Sequence, residues 1–137
     1  MSNLNDEIDF LERLVIDVLD KQGYYATVVS PMLASGNSIA VMPMPASDYD
    51  YYYDGSYRQN YAFQVLTKHE QQLTAYHTLL DIARLLKGID NIPSANGSYK
   101  FENGITITTD PNLISRDYQY YIFAAQFSAA LFIPAKE

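Results

Sequence analysis

Hydrophobic and polar positions follow two different rhythms on either side of one junction. From Tyr57 to Leu66, Tyr61, Phe63 and Val65 share one face at a two-residue period, and Ala62, Gln64 and Leu66 share the other. That alternation predicts a strand over 57–66 with one wholly apolar side. From Lys68 to Lys87 the rhythm lengthens: Leu73, Tyr76, Leu79, Leu80, Ala83 and Leu86 recur at three- and four-residue steps, with Gln71, Gln72, Asp81, Arg84 and Lys87 mostly elsewhere. This is the pattern of an amphipathic helix, 68–87, whose apolar stripe lies on a sheet. Thr67 and Glu70 fit a capping box at its start, and Gly88 fits a left-handed stop at its end.

The same reading places a first helix over roughly 5–22, on the stripe Ile8, Leu11, Val15 and Val18 broadened by Leu14 and Leu19. Asn3 or Asn5 suits its N-cap, Asp6, Glu7 and Asp9 suit the positive end of its dipole, and Gly23 suits its stop. "YYATVVS" and "IAVMPMP" predict two short strands separated by the turn "SGNS", with Pro43 and Pro45 ending the second or placing it at an edge. Residues 46–57 form a tyrosine-rich acidic connection with a tight turn at Asp54-Gly55. After the central helix, "YKFENGITIT" predicts two extended arms around Asn103-Gly104, and Pro111 separates them from a final strand over 118–133. In that tract Tyr121, Phe123, Ala125, Phe127, Ala129, Leu131 and Ile133 alternate onto one side. The expected architecture is α+β, a mixed or antiparallel sheet packed by two main helices in the order α-β-β-β-α-β-β, with residues 1–137 as one domain.

Composition narrows the chemistry. The 137 residues include no cysteine, which removes disulfides, thiolate zinc sites and cysteine nucleophiles. No segment approaches the roughly 18 apolar residues of a spanning helix, and the N-terminus lacks a signal-peptide pattern, so a soluble, non-secreted product with no membrane partner is expected. A net charge of -7 opposes nonspecific attraction to nucleic acid, and no sequence-specific nucleic-acid binding is expected. The 13 tyrosines are the oddity, bunched at 49–61 and 118–121 and near Tyr24. They suit either strand packing or protein interfaces, since the ring is apolar and its tip polar.

Chemical motifs are sparse. His69 and His77 lie eight residues apart rather than four, without the glutamate of a zinc helix. His69 fits an exposed place in the first helical turn, and His77 fits a partly buried one beside the stripe. Asp48, Asp50 and Asp54-Gly55 resemble a calcium loop only loosely: counting from Asp50 puts Tyr61 where glutamate is needed, and counting from Asp48 puts Tyr53 where glycine is needed. No glycine-rich phosphate loop or nucleophile elbow is present. The expectation is a protein without catalysis, cofactor or metal. A small ligand-binding domain or enzyme with no recognisable motif, and a host-side protein-binding adaptor, are the competing classes.

"SIAVMPMP", "YYDGSYRQNYAFQVLTKHEQQLTAYHTLLDIARLL", "NGSYKF" and the aromatic final strand together resemble the phage minor capsid protein family of tailed bacteriophages and prophages, whose fold is similar to the tail terminator proteins. The resemblance spans roughly 5–133, and its most specific part is "DGSYRQNYAFQVLTKHEQQ". It implies a virion structural protein at the neck, or head-tail junction, made in the host cytoplasm during assembly. It further implies self-association into a ring, hexameric in such proteins, that caps the tail tube protein and meets the head completion protein. The family offers no catalytic residue to carry over. It directs attention to Tyr51, Tyr52, Tyr53, Asp54, Gly55 and Tyr57 as contact positions, and open strand edges offer subunits a further way to join.

Overall fold

The computed structural model of the protein describes residues 9–30, 32–45 and 49–134. The chain enters through α1 (Phe10–Arg13), which continues without a break through a π-helical turn at Leu14–Leu19 and a 3-10 turn at Asp20–Gln22. Gly23 then takes φ +73, the left-handed stop expected of it. Four strands follow: β1 (Val28–Val29), β2 (Ser38–Pro43), β3 (Tyr49–Tyr51) and β4 (Tyr57–His69). After α2 (Gln72–Lys87) the chain ends in two long strands, β5 (Lys100–Asp117) and β6 (Tyr120–Ile133). The expected order is met with one addition, the short β3 inside the tyrosine connection.

The strands form one six-stranded mixed sheet, β1-β2-β4-β6-β5, with β3 pairing the first residues of β4. Among the described residues only β1 and β2 pair in parallel; every other pair is antiparallel. Both helices cover the same face. On it, Phe63 and Val65 of β4 and Ala125, Phe127, Ala129 and Leu131 of β6 are fully buried, together with Leu79, Ile82 and Leu86 of α2. Phe63 and Phe127, directly paired across the strands, stack at 5.3 Å. The uniform apolar side of 121–133 is thus the floor of the core, and the period-two expectation for that run holds.

Several local expectations give way to tertiary packing. Thr67 is a strand residue, fully buried, whose hydroxyl donates to the Ala75 carbonyl at 2.9 Å, so no capping box forms. Pairing with Ile39 on one side and Phe123 on the other carries β4 on to His69. The helix consequently starts at Gln72 behind Gln71, which supplies no side-chain cap, and Leu73 is left 66% exposed. Gly88 ends α2 at φ -96 rather than in the left-handed region. His69 therefore lies at the end of a strand, not in a helix, and accepts the Gln71 N–H at 2.9 Å through Nδ1; His77 is exposed.

Around α1 the buried set is Phe10, Leu14, Val18 and Leu19, while Leu11 and Val15 are only half-buried. The wide π turn stretches the repeat beyond 3.6 residues, which rotates the four-residue spacing onto the sheet. Asn3, Asn5, Asp6, Glu7 and Ile8 lie outside the described residues. The two arms expected around Asn103-Gly104 are one strand, β5, in which Gly104 at φ +82 sits within a register shift rather than a hairpin turn. Pro111 also lies inside β5. A missing N–H is tolerated there because β5 is an edge of the sheet. The true hairpin is β5–β6, closed by Tyr118-Gln119 between the paired Asp117 and Tyr120.

Candidate protein interface

The tyrosine connection folds as a hairpin between β3 and β4. Tyr52 N–H donates to the Ser56 carbonyl at 3.0 Å and Gly55 N–H to the Tyr52 carbonyl at 3.2 Å, closing a turn in which Gly55 takes φ +89. A side chain there would be strained, so glycine is the local requirement. Asp54 holds the exit: its Oδ1 accepts the Ser56 hydroxyl at 2.5 Å and the Ser56 N–H at 3.0 Å. Those two bonds, the hydroxyl foremost, keep its carboxyl below the usual aspartate range. Asp54-Gly55 is the tight turn anticipated from the sequence.

The turn presents Tyr53, fully exposed, and Tyr52, 46% exposed, at one end of the sheet. Tyr52 leans on Phe132, with ring centroids 6.4 Å apart. Tyr57 is half-buried against the core, opposite Ile133. The structure therefore brings Tyr52, Tyr53, Asp54 and Gly55 into one projecting group and withdraws Tyr57 from it. Tyr51 belongs to β3 by its backbone; its side chain, that of Asp50 and the whole of Asp48 lie outside the described residues. Behind the turn, Arg58 bridges to Glu102 at 2.6 Å, tying β4 to β5 across β6.

Two other groupings escaped the sequence reading. Asp9, 8% exposed, is a clasp between α1 and the 94–98 loop. Its Oδ1 accepts the Ser94 hydroxyl at 2.6 Å and the Ser98 hydroxyl at 3.0 Å, and its Oδ2 accepts the Ala95 N–H at 2.8 Å. Burial works to raise its pKa, but the bonds from Ser94, Ala95 and Ser98 outweigh burial and hold the carboxyl low. A serine-rich loop 85 residues away from the aspartate gives no sequence signal of this pairing. The second group is the β5–β6 tip, where Leu113 and Ile114 are about half exposed and Tyr118 is 93% exposed with φ +54. "DYQY" carries none of the Asn-Gly chemistry by which such turns are read from sequence.

Two shallow cavities flank β5. One, about 570 Å³, is lined by Arg58, Asn91, Ser94, Tyr99, Lys100 and Glu102 among others; the other, about 420 Å³, lies between α2 and β5. Neither histidine lines either cavity. Among the described residues no three His, Asp or Glu side chains converge to hold a metal ion, and no helix is long and apolar enough to cross a membrane.

No family model and no curated protein matches the chain. Among solved structures it is similar to a chain from the "Virion of native gene transfer agent (GTA) particle", with a TM-score of 0.53 and 16% identity over 88% of this chain and 90% of that one. Near-complete coverage in both directions shows that the two chains share a mixed α+β fold of helices on a multi-stranded sheet.

Proposed function

We propose that this protein is a virion structural component of the phage neck, a tail terminator or head-tail joining protein that forms a ring on the end of the tail tube and receives the head completion protein. The observation that carries the proposal is the fold shared, over 88% of this chain, with a chain of a gene transfer agent virion. The resemblance of "DGSYRQNYAFQVLTKHEQQ" and its flanking segments to the minor capsid family supplies the position at the neck and the number six for the ring. In this reading the protein works by contact, without catalysis or cofactor. Tyr52 and Tyr53 on the β3–β4 turn are contact residues, since rigid aromatic side chains give broad apolar area with little entropy to lose. A ring of acidic subunits also repels DNA passing through it.

Electron microscopy of particles assembled with and without the protein tests the assignment. Density at the neck, together with loss of head-tail joining when the protein is absent, is the expected result. Normal joining, with the protein elsewhere in the particle or missing from it, would overturn the proposal.

A further inference from the structure

The loop that the Asp9 clasp holds, residues 94–98, carries an Asn-Gly pair, Asn96-Gly97, and both residues are exposed. Asparagine followed by glycine is the pair in which a side-chain amide is most open to attack by its own backbone. No Cβ shields the next nitrogen, and glycine bends freely into the cyclic imide that results. Here Gly97 sits at φ +74, and a Cβ built on it would meet nothing within 4 Å. The loop also activates the amide that is to be attacked. Asn96 Oδ1 accepts the Ser98 N–H at 3.0 Å, so a donor already stands where negative charge gathers when a nucleophile adds to Asn96 Cγ.

Asn103-Gly104 is the contrasting pair. Its backbone runs within β5, between Phe101 and Ile105, which are paired with Leu131 and Ala129 of β6. The sheet there resists the bending that ring closure needs. The fold thus separates two identical dipeptides, one displayed in a loop and the other held in a strand.

From this setting we infer that Asn96-Gly97 is a self-modifying site, at which the Gly97 nitrogen closes on Asn96 and water converts the amide to a carboxylate that loosens the Asp9 clasp. Hydroxide takes the Gly97 N–H proton, and the nitrogen forms a bond to Asn96 Cγ. The side-chain nitrogen takes a proton from water and leaves as ammonia, which regenerates the hydroxide. Water then opens the cyclic imide at either carbonyl, giving aspartate or isoaspartate. The net change is water consumed and ammonia released, with nothing oxidised or reduced. The consequence follows from Ser94, whose hydroxyl lies 3.0 Å from Asn96 Oδ1 and donates to Asp9 Oδ1 at 2.6 Å. A hydroxyl has a single hydrogen to give, so a carboxylate at 96 competes with Asp9 for it and sets a like charge beside it. Isoaspartate also lengthens the backbone between Ser94 and Ser98. The site stands independently of the neck assignment.

Peptide mass spectrometry of the folded protein, sampled over days in mildly alkaline buffer, tests the site, with the same protein in urea as the unfolded control. In the folded chain Asn96 should convert at least about tenfold faster than Asn103 or Asn112, whereas in urea Asn96 and Asn103 should convert at similar rates. Isoaspartate among the products marks closure through the Gly97 nitrogen, since direct hydrolysis yields aspartate alone. Equal rates at Asn96 and Asn103 in the folded chain, no conversion at Asn96, or aspartate as the sole product would overturn the site. The effect on the clasp is read with Asn96→Asp, which should melt at a lower temperature than the parent and than Asn96→Ser, which keeps an oxygen without the charge. An Asn96→Asp chain melting no lower than Asn96→Ser would overturn the loosening.

Discussion

Tyrosines in two regions of this protein do opposite work. On the helix-covered side, Tyr25 and Tyr99 are seated with their hydroxyls engaged. Tyr25 lies 2.8 Å from the Ser38 carbonyl and 2.9 Å from the Lys68 carbonyl, and accepts the Lys68 N–H at 3.1 Å; Tyr99 donates to the Ile92 carbonyl at 2.6 Å. Burial pushes the phenol pKa of both upward. At the two ends of the sheet, Tyr53 and Tyr118 touch almost nothing, and φ at Tyr118 is unfavourable. The difference teaches that the tyrosine excess is two populations: one fastens loops to the core, and the other is displayed at turns.

The comparison is sharpened most by truncating an interior ring. Tyr99, 3% exposed and packed edge-on to Phe10 at 5.6 Å, should cost about 3–5 kcal/mol on Tyr99→Ala, read from urea unfolding midpoints. A change below that of an exposed site would put Tyr99 in the displayed population. Next in size is the clasp that holds the same loop: Asp9→Ala should cost about 1–3 kcal/mol, because charge-assisted bonds from Ser94, Ser98 and Ala95 are lost together. The Asp9 carboxyl is held below its unfolded value, so its contribution is fully present above about pH 4 and disappears as pH falls through the lowered folded pKa. The stability gap between parent and Asp9→Ala should therefore narrow in the acid range, measured by thermal melts from neutral pH downward.

What the sequence disclosed follows the same division. Long regular runs were legible because their period largely survives the details of packing: β6 alternates as read, and α2 buries Leu79, Ala83 and Leu86 of its stripe, although Leu73 is exposed and Ala75 and Ile82, outside the stripe, are fully buried. The Asp54-Gly55 turn was legible because glycine is needed for its backbone. Boundaries that depend on distant partners were not. Thr67 reads as a cap until Ile39 and Phe123 draw it into the sheet, and Gly104 reads as a hairpin turn until the longer β5–β6 pairing absorbs it. The π turn of the first helix, which puts Phe10 among the rings of Tyr61, Phe63 and Tyr99, has no local residue signature. Tyr52 and Tyr53 were singled out through the family resemblance, whereas Tyr118, within the tyrosine cluster at 118–121, was read as the first residue of the final strand.

At the displayed sites stability and assembly should separate. Tyr52→Ser with Tyr53→Ser should change unfolding free energy by no more than about 0.5 kcal/mol each, since neither ring is enclosed. Head-tail joining, the role proposed for the chain, should nevertheless fall. Loss of folded protein in proportion to loss of joining would return the pair to the packing population.

The smallest expected effect has the opposite sign. Tyr118 occupies a two-residue hairpin turn whose left-handed backbone asparagine adopts with far less resistance. Almost none of its side chain is covered, so little packing is lost with the ring. Tyr118→Asn should thus stabilise the isolated chain by about 1 kcal/mol through relief of backbone strain, seen as a higher melting temperature. A destabilised chain would show instead that the ring supports its own hairpin, and would move Tyr118 across the comparison to stand with Tyr25 and Tyr99.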